Sequence, residues 1–582
     1  MDINGLKIKY SEQELADMMD NKSIAINLAG KDLSGYQALS EGNKKALEHL
    51  VAAAEIINNV ALEQDHPQNL VLKQALETAA KESSYAKRAL ELFNSLNGVA
   101  GFNGVDKQPI ELFEGVHLLK GHNFYPQDLT IDEFHNILLN MLKNGKTDKV
   151  KSILSARTMV RRENDELKAI DYTEYFADDF SAVANELEVA AHYSDDESFK
   201  DYLGWQAQAL LQNNEEMDVL ADKHWAVLQN CPLEFTLSRE NYDDEITPSV
   251  YENSELAQML KEYNIEAVSK DMLGARVGIV NAKGTDLILK FKNYLPELAA
   301  KMPYADKYIQ SVLSGGELKQ TMVDVDIIDL EGDYAQCRGG ITTAQNLPNN
   351  DKPSIKRGGG RRNVYHRQVR MSGDDAKQKA ILMRLVSPEL HKYFDREADH
   401  LFVIGHENGH SLGPGSEYQN AIGSCKHIIE EHKADTISLT FMPQYVKNGV
   451  IDAETLKKIY VSYIVGRMFL TARPHRMLPH RMGELIQFNY LLQHEAIRFD
   501  EHYLLHIDFS RLEGVLAQLL DETIAVQLSR SPEKADAFVE KYTQWTDISE
   551  HIAGVHRELG LKPYKKIVRH FIQCKTNKIC LH

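Results

Sequence analysis

The residues best suited to do chemistry form one short run, His406-Glu407-Asn408-Gly409-His410. It follows an apolar stretch at 401–404 and precedes Gly413-Pro414, so a helix is expected that stops just after it. Residues four apart share a helix face, which lets both imidazoles reach one zinc ion. Glu407 then lies beside the metal, not on it, where it can take a proton from water. A zinc hydrolase needs a third protein ligand and a fourth position left for water. The HExxHxxGxxH solution fails, because Ser416 stands where its last histidine belongs. The other solution is a carboxylate from a second helix. Residues 427–435 supply Glu430, Glu431 and Asp435 in a stretch expected to stay helical as far as Pro443. Glu431 and Asp435 are four apart and share a face. One can bind zinc while the other accepts the free N–H of a ligand histidine, and Glu430 is available to orient His410.

The elements that must carry these groups follow from periodicity. Residues 40–97 place Ala, Leu and Ile at helical spacing and read as two long amphipathic helices, closed by a glycine-rich break at 97–104. Residues 129–230 read as helical from Thr130-Ile131-Asp132-Glu133 onward. After Cys231 the period becomes that of a strand, with Leu233, Phe235 and Leu237 alternating with polar residues. Val323, Val325 and Ile327 alternate with Asp324 and Asp326 in the same way. A loop-rich tract at 339–362 follows, and from about 374 the chain reads as mostly helical. The basic stretch 352–370 is either a phosphate site or a solvated loop. The coarse class is α+β.

Composition sets limits. The chain has 582 residues, 43% of them hydrophobic, which fits a globular protein with more than one core. A net charge of −19 argues against nucleic acid as a partner. The five cysteines, 231, 337, 425, 574 and 580, form neither a disulfide framework nor a cysteine-rich metal site. The N-terminus has no cationic start followed by an apolar run, and no apolar stretch reaches the ~18 residues of a spanning helix. The best candidate, 459–470, is interrupted by Arg467 and reads as a buried helix. A cytoplasmic protein without a membrane partner is expected.

The HENGH run and the EExKAD run together resemble the dipeptidyl peptidase III family of zinc peptidases (family M49), in its five-residue HExxH branch. Further segments resemble the family in its order: HNFYPQDLTIDEF at 122–134, SRENYD at 238–243, NLPN at 346–349, and His480 followed by the LIQFNY run at 485–490. Glu484 stands where some members carry an arginine. That branch includes chains fused to Nudix domains, but no Nudix box is present in this sequence.

The resemblance implies an α+β fold of two lobes around a wide cleft, one mostly helical and zinc-binding, the other mixed with a small β-barrel. Ahead of the resemblance the periodicity gives an N-terminal helical region at 1–100, and the resemblance implies a substrate-binding lobe at 101–255 with 330–373 and a catalytic lobe at 256–329 with 374–582. It further implies release of dipeptides from the N-terminus of short peptides. His406, His410 and Glu431 would hold one Zn2+ per chain, with Glu430 and Asp435 behind them. Glu407 would be the base, and Tyr242 and His480 would stabilise the oxyanion. Glu240, Asn346 and Asn349 would hold the substrate amine, and the NLPN tract would pair with the peptide as an added strand. Two rivals are a zinc aminopeptidase or oligopeptidase of other register, and a catalytically weak peptide-binding protein.

Overall fold

The fold is described from a computed structural model, which covers residues 1–105, 107–164, 166–240, 244–310, 321–336, 341–347, 360 and 362–571. After strand β1 (Ser23–Asn27), the 40–97 stretch forms three helices and not two: α1 (Glu41–Asp65), α2 (Asn69–Ala79) and α3 (Ser84–Leu96). The break at His66-Pro67 separates the two expected runs, because the residue before a proline is driven into extended backbone and His66 has ψ 135°. The additional break falls at 80–83, where Ser83 caps α3 by accepting from the Ala86 N–H. Asn97 closes α3 in the left-handed region at φ 51°. Thr130 caps α4 (Ile131–Lys143) by accepting from the Glu133 N–H, as its position suggests.

The 129–230 stretch is not helical throughout. A hairpin of β2 (Thr158–Glu163) and β3 (Glu166–Asp171) interrupts it before α5 (Ala177–Tyr193), α6 (Glu197–Gln212) and α7 (Glu215–Ala226). Three longer strands follow: β4 (Leu233–Glu240), β5 (Met272–Val280) and β6 (Thr321–Gly332). Short strands β7 (Ala344–Leu347) and β8 (Arg362–Tyr365) precede the helical remainder. That remainder includes α8 (Arg396–Gly409), α9 (Lys426–Lys447), α10 (Ala453–Tyr463), α11 (Pro479–Gln493), α12 (Phe509–Leu528) and α13 (Pro532–Tyr542). Strand β9 (Tyr564–Val568) comes last.

The chain divides into two compact units: residues 1–280 with 325–342 and 562–582, and residues 281–324 with 343–561. These boundaries differ from the expected ones. Residues 1–100 do not stand apart, because α1 packs on α5 and β5, and β1 pairs in parallel with β9. Residues 562–571 therefore belong to the first unit together with β1.

In the first unit the second half of β6 runs antiparallel to β5, from Val325↔Val280 to Gly332↔Gly274, and β5 runs antiparallel to β4. In the second unit the first half of β6 pairs in parallel with β8, which runs antiparallel to β7. The order β7-β8-β6-β5-β4 is open. Among the described residues no closed barrel exists: closure would require the two end strands, β4 and β7, to pair, and they do not. The alternation in β6 also misleads, since Asp324 and Asp329 are buried with the valines.

Two ion-pair networks explain charges that looked solvated. Arg367 pairs with Glu397, and Arg370 with Asp399, so these two arginines of the basic stretch serve the start of α8. In the first unit, Arg569 donates to Asp329 Oδ1 and the Leu330 carbonyl at 2.7 Å each and lies 2.7 Å from Glu331 Oε1. Burial, with Asp329 beside it, pushes the Glu331 carboxyl well above its usual range. Arg569 thus neutralises two buried carboxylates on β6. Arg569→Met should lower the unfolding free energy by about 2–4 kcal/mol, discounted because the guanidinium is 36% exposed. The defect should shrink at acid pH, where protonating Glu331 removes an unpaired buried charge. Urea unfolding checks both, and a change under ~0.5 kcal/mol would mean that the carboxylates have another partner.

Candidate metal centre

The centre lies within the second unit, where α8 and α9 cross. Asp395 caps α8 by accepting from the Glu397 N–H, and Glu397 and Asp399 place negative charge in its first turn. His410 is the first residue beyond the helix but keeps helical angles (φ −63°, ψ −26°), so its four-residue relation to His406 survives. Gly413 then turns the chain at φ 92°. Helix α9 does not end at Pro443. It runs on to Lys447, and the Leu439 carbonyl that Pro443 cannot serve accepts from the Tyr460 hydroxyl at 3.3 Å.

Close helix approach brings the ligands together. A Cβ on Gly409 would sit 2.8 Å from the Ala434 carbonyl oxygen, and one on Gly405 would sit 2.3 Å from Ser438 Oγ. A Cβ on Gly483 would likewise lie 3.2 Å from His432 Cα, so α11 docks on α9 as tightly. Larger residues at these places would hold the helices apart.

The result is a group of three donors, His406, His410 and Glu431. The Nε2 atoms of His406 and His410 are 3.2 Å apart, and Glu431 Oε2 lies 3.4 Å from the first and 3.6 Å from the second. Tetrahedral bonds of about 2.0–2.1 Å require donors about 3.3 Å apart, so the three atoms fit one zinc ion. Glu431 Oε2 is buried without a hydrogen-bond partner, which an ion would supply.

The other ring nitrogens are committed. His406 Nδ1 is 2.7 Å from Asp435 Oδ1, and His410 Nδ1 is 3.0 Å from Glu430 Oε1. Each imidazole therefore donates at Nδ1 and presents Nε2 to the centre. This resolves the choice between Glu431 and Asp435: Glu431 faces the centre and Asp435 stands behind His406. Lys433, itself buried, lies 2.9 Å from Glu430 Oε1. Burial opposes ionisation of Glu430, but Lys433 and His410 outweigh it and hold its carboxyl at about 2. Burial also opposes the charge on Glu431, yet His410, His406 and His480 keep its carboxyl well below the usual range. Burial opposes protonation of His406, but Asp435 and Glu431 raise it well above the usual imidazole value. The site attracts positive charge strongly.

His480, in the first turn of α11, has Nδ1 3.3 Å from Glu431 Oε2. Glu407 follows His406 on α8 and is half-buried. Glu484 is buried and accepts from Arg481 at 2.8 Å. Strand β7 packs against α8 and pairs the Asn346 backbone with Asn363. Glu240 ends β4 in the first unit, opposite Met272. Tyr242 and Asn349 lie outside the described residues. Sequence reasoning passed over Lys433, Tyr463 and Thr523. Gln487 stands there only as part of the LIQFNY run. Spacing offers a signal only for Lys433, three residues after Glu430 on one helix; the others come together through packing between helices.

Fold and site together define an α+β protein with a candidate two-histidine, one-glutamate metal centre. No family model matches the chain. It is 24% identical over 561 residues to Nudix hydrolase 3 of Arabidopsis thaliana, across 87% of this chain and 68% of that protein. Among solved structures it resembles dipeptidyl peptidase III from Caldithrix abyssi, with TM-score 0.74 and 24% identity over 95% of this chain and 98% of that one. It also resembles dipeptidyl-peptidase III from Corallococcus sp. strain EGB, with TM-score 0.68 and 17% identity over 97% and 98%. The chain has the dipeptidyl peptidase III fold.

The centre predicts one zinc per chain. Elemental analysis after dialysis should find about one equivalent in the wild type and well under half in His410→Ala or Glu431→Ala. Full zinc in either variant would remove that residue from the centre.

Proposed function

We propose that the chain is a zinc-dependent exopeptidase that releases dipeptides from the N-terminus of short peptides. The observation that carries this reading is the convergence of His406, His410 and Glu431 within a fold that matches two dipeptidyl peptidase III structures over nearly their whole length. The name of the Arabidopsis relative is not carried over. The match takes in 68% of that protein, and this sequence holds no Nudix box.

A zinc ion held there supplies Lewis acidity, which makes water acidic and polarises the scissile carbonyl. Asp435 and Glu430 fix the two imidazoles in the donating tautomer. Glu407 accepts the proton of the attacking water and passes one to the leaving amine. His480 and Tyr242 donate to the oxyanion. Glu240, Asn346 and Asn349 take the substrate's ammonium group and so set the two-residue register. Strand β7, an end strand of the sheet among the described residues, is where the peptide backbone would add.

Glu407→Gln should keep its zinc and lose on the order of 100-fold or more in kcat, because it removes a base and not a ligand. Wild-type turnover in that variant would overturn the mechanism. The register is tested by product masses from matched free and N-acetylated tetra- to octapeptides. Dipeptides should dominate, and acetylation should cost about thirty-fold or more in kcat/KM, since it removes the charge that Glu240 would pair with. Single amino acids or internal cuts would favour the aminopeptidase or oligopeptidase alternative. Bound zinc without turnover of any peptide would favour the peptide-binding one.

A further inference from the structure

Behind the centre runs a chain of buried polar groups that crosses five helices. Asp435 gives one oxygen to His406 and turns the other, Oδ2, to the Tyr463 hydroxyl at 3.0 Å and to Gln487 Nε2 at 3.3 Å. The Tyr463 hydroxyl also hydrogen-bonds Gln487 Oε1. Gln487 Nε2 lies 3.3 Å from His432 Nδ1, and His432 Nε2 lies 3.0 Å from Thr523 Oγ1. Thr523 in turn donates to the Leu519 carbonyl at 2.7 Å. Tyr463, Gln487, His432 and Thr523 are all essentially inaccessible to solvent.

The far end of the chain fixes its direction. A hydroxyl has one hydrogen, and that of Thr523 is spent on Leu519. Thr523 must therefore accept from His432 Nε2, which leaves His432 Nδ1 bare and able only to accept. The group facing it must be the amide NH2 of Gln487 and not its carbonyl. The same NH2 then faces Asp435, and the Gln487 carbonyl faces Tyr463. The Tyr463 hydroxyl has one hydrogen for two acceptors, Asp435 Oδ2 and Gln487 Oε1, so it serves one of them at a time, while Gln487 Nε2 keeps a donor on Asp435 in either case. Asp435 thus meets donors on both sides in a place where an unmatched carboxylate oxygen would be costly.

We infer that Tyr463 and Gln487 are positioning residues of the metal centre. They hold Asp435 in the one orientation that receives the His406 Nδ1–H, and so keep His406 Nε2 aimed at the metal. Gln487 lies two turns beyond His480 on the same face of α11, so it also ties the helix that carries the oxyanion donor to the helix that carries Glu431. Tyr463 adds packing, with its ring centroid 4.2 Å from that of Phe402, one turn before His406. The inference rests on the zinc-peptidase reading only for its kinetic arm.

The test uses Tyr463→Phe, which removes one oxygen and keeps the ring, and Gln487→Met, which keeps the length and removes the amide. Each is made alone and in an Asp435→Asn background. Zinc affinity is measured by chelator competition, and kcat and KM on a dipeptidyl substrate at saturating zinc. Each single variant should bind zinc about tenfold or more weakly and lose kcat with KM within about twofold of wild type. Neither should weaken zinc binding further once Asp435 is Asn, because both act through it. Wild-type zinc affinity in the variants, or losses that multiply fully with Asp435→Asn, would overturn the inference. If one variant fails to fold, the other decides on the same criteria. A wild type that binds zinc but cleaves no peptide sinks the peptidase reading while the affinity arm still decides this one, and a wild type that binds no zinc sinks both.

Discussion

Three lone-pair-bearing atoms, one of them on a carboxylate, meet within 3.6 Å where helices α8 and α9 cross. In water such an arrangement would fly apart, or fill with solvent. Inside a protein it persists only if something positive sits among the donors and something rigid holds them. The second unit supplies the rigidity. Glycines at 405 and 409 let two backbones approach to contact distance, and Gly483 lets a third helix join them. The acids Asp435 and Glu430 turn the imidazoles, and Lys433, Tyr463 and Gln487 turn the acids.

The same constraint accounts for the irregular features nearby. Pro443 sits inside α9 without ending it, and a tyrosine hydroxyl serves the carbonyl that the proline leaves bare. A π-helical turn follows α10, and its Arg467 reaches Asp399 with two hydrogen bonds of 3.0 and 3.2 Å. Asp399 is nearly two turns before His406, so that pair anchors the start of the helix whose end bears the ligands. Burial disfavours the Arg467 charge, but Asp399 sustains it.

What could be seen in the sequence was whatever depends on spacing alone. Four-residue intervals put His406 on a face with His410, and Glu431 with Asp435, and both relations hold. The strands at 233 and 323 declared themselves by their period. Features set by packing did not. Strand β5 reads as an almost unbroken buried run, MLGARVGIV, without the alternation that marks a half-exposed strand. The proline at 67 ends a helix while the proline at 443 does not, although each freed carbonyl has a donor, Asn123 at Glu63 and Tyr460 at Leu439, so the residue type alone does not tell the two cases apart. The barrel came from the resemblance, and among the described residues an open strand order stands in its place. The arginines at 367 and 370, part of a stretch that reads as a phosphate site or a solvated loop, pair with acids on α8, which spacing does not show.

The account stands or falls on what occupies the space between His406, His410 and Glu431. X-ray absorption at the zinc edge of the zinc-loaded protein measures that directly. Four light-atom neighbours at about 2.0 Å should appear, with the outer-shell scattering of two imidazoles and no sulfur. A sulfur shell near 2.3 Å, or a six-coordinate oxygen shell without imidazole scattering, would contradict the centre described and place zinc elsewhere.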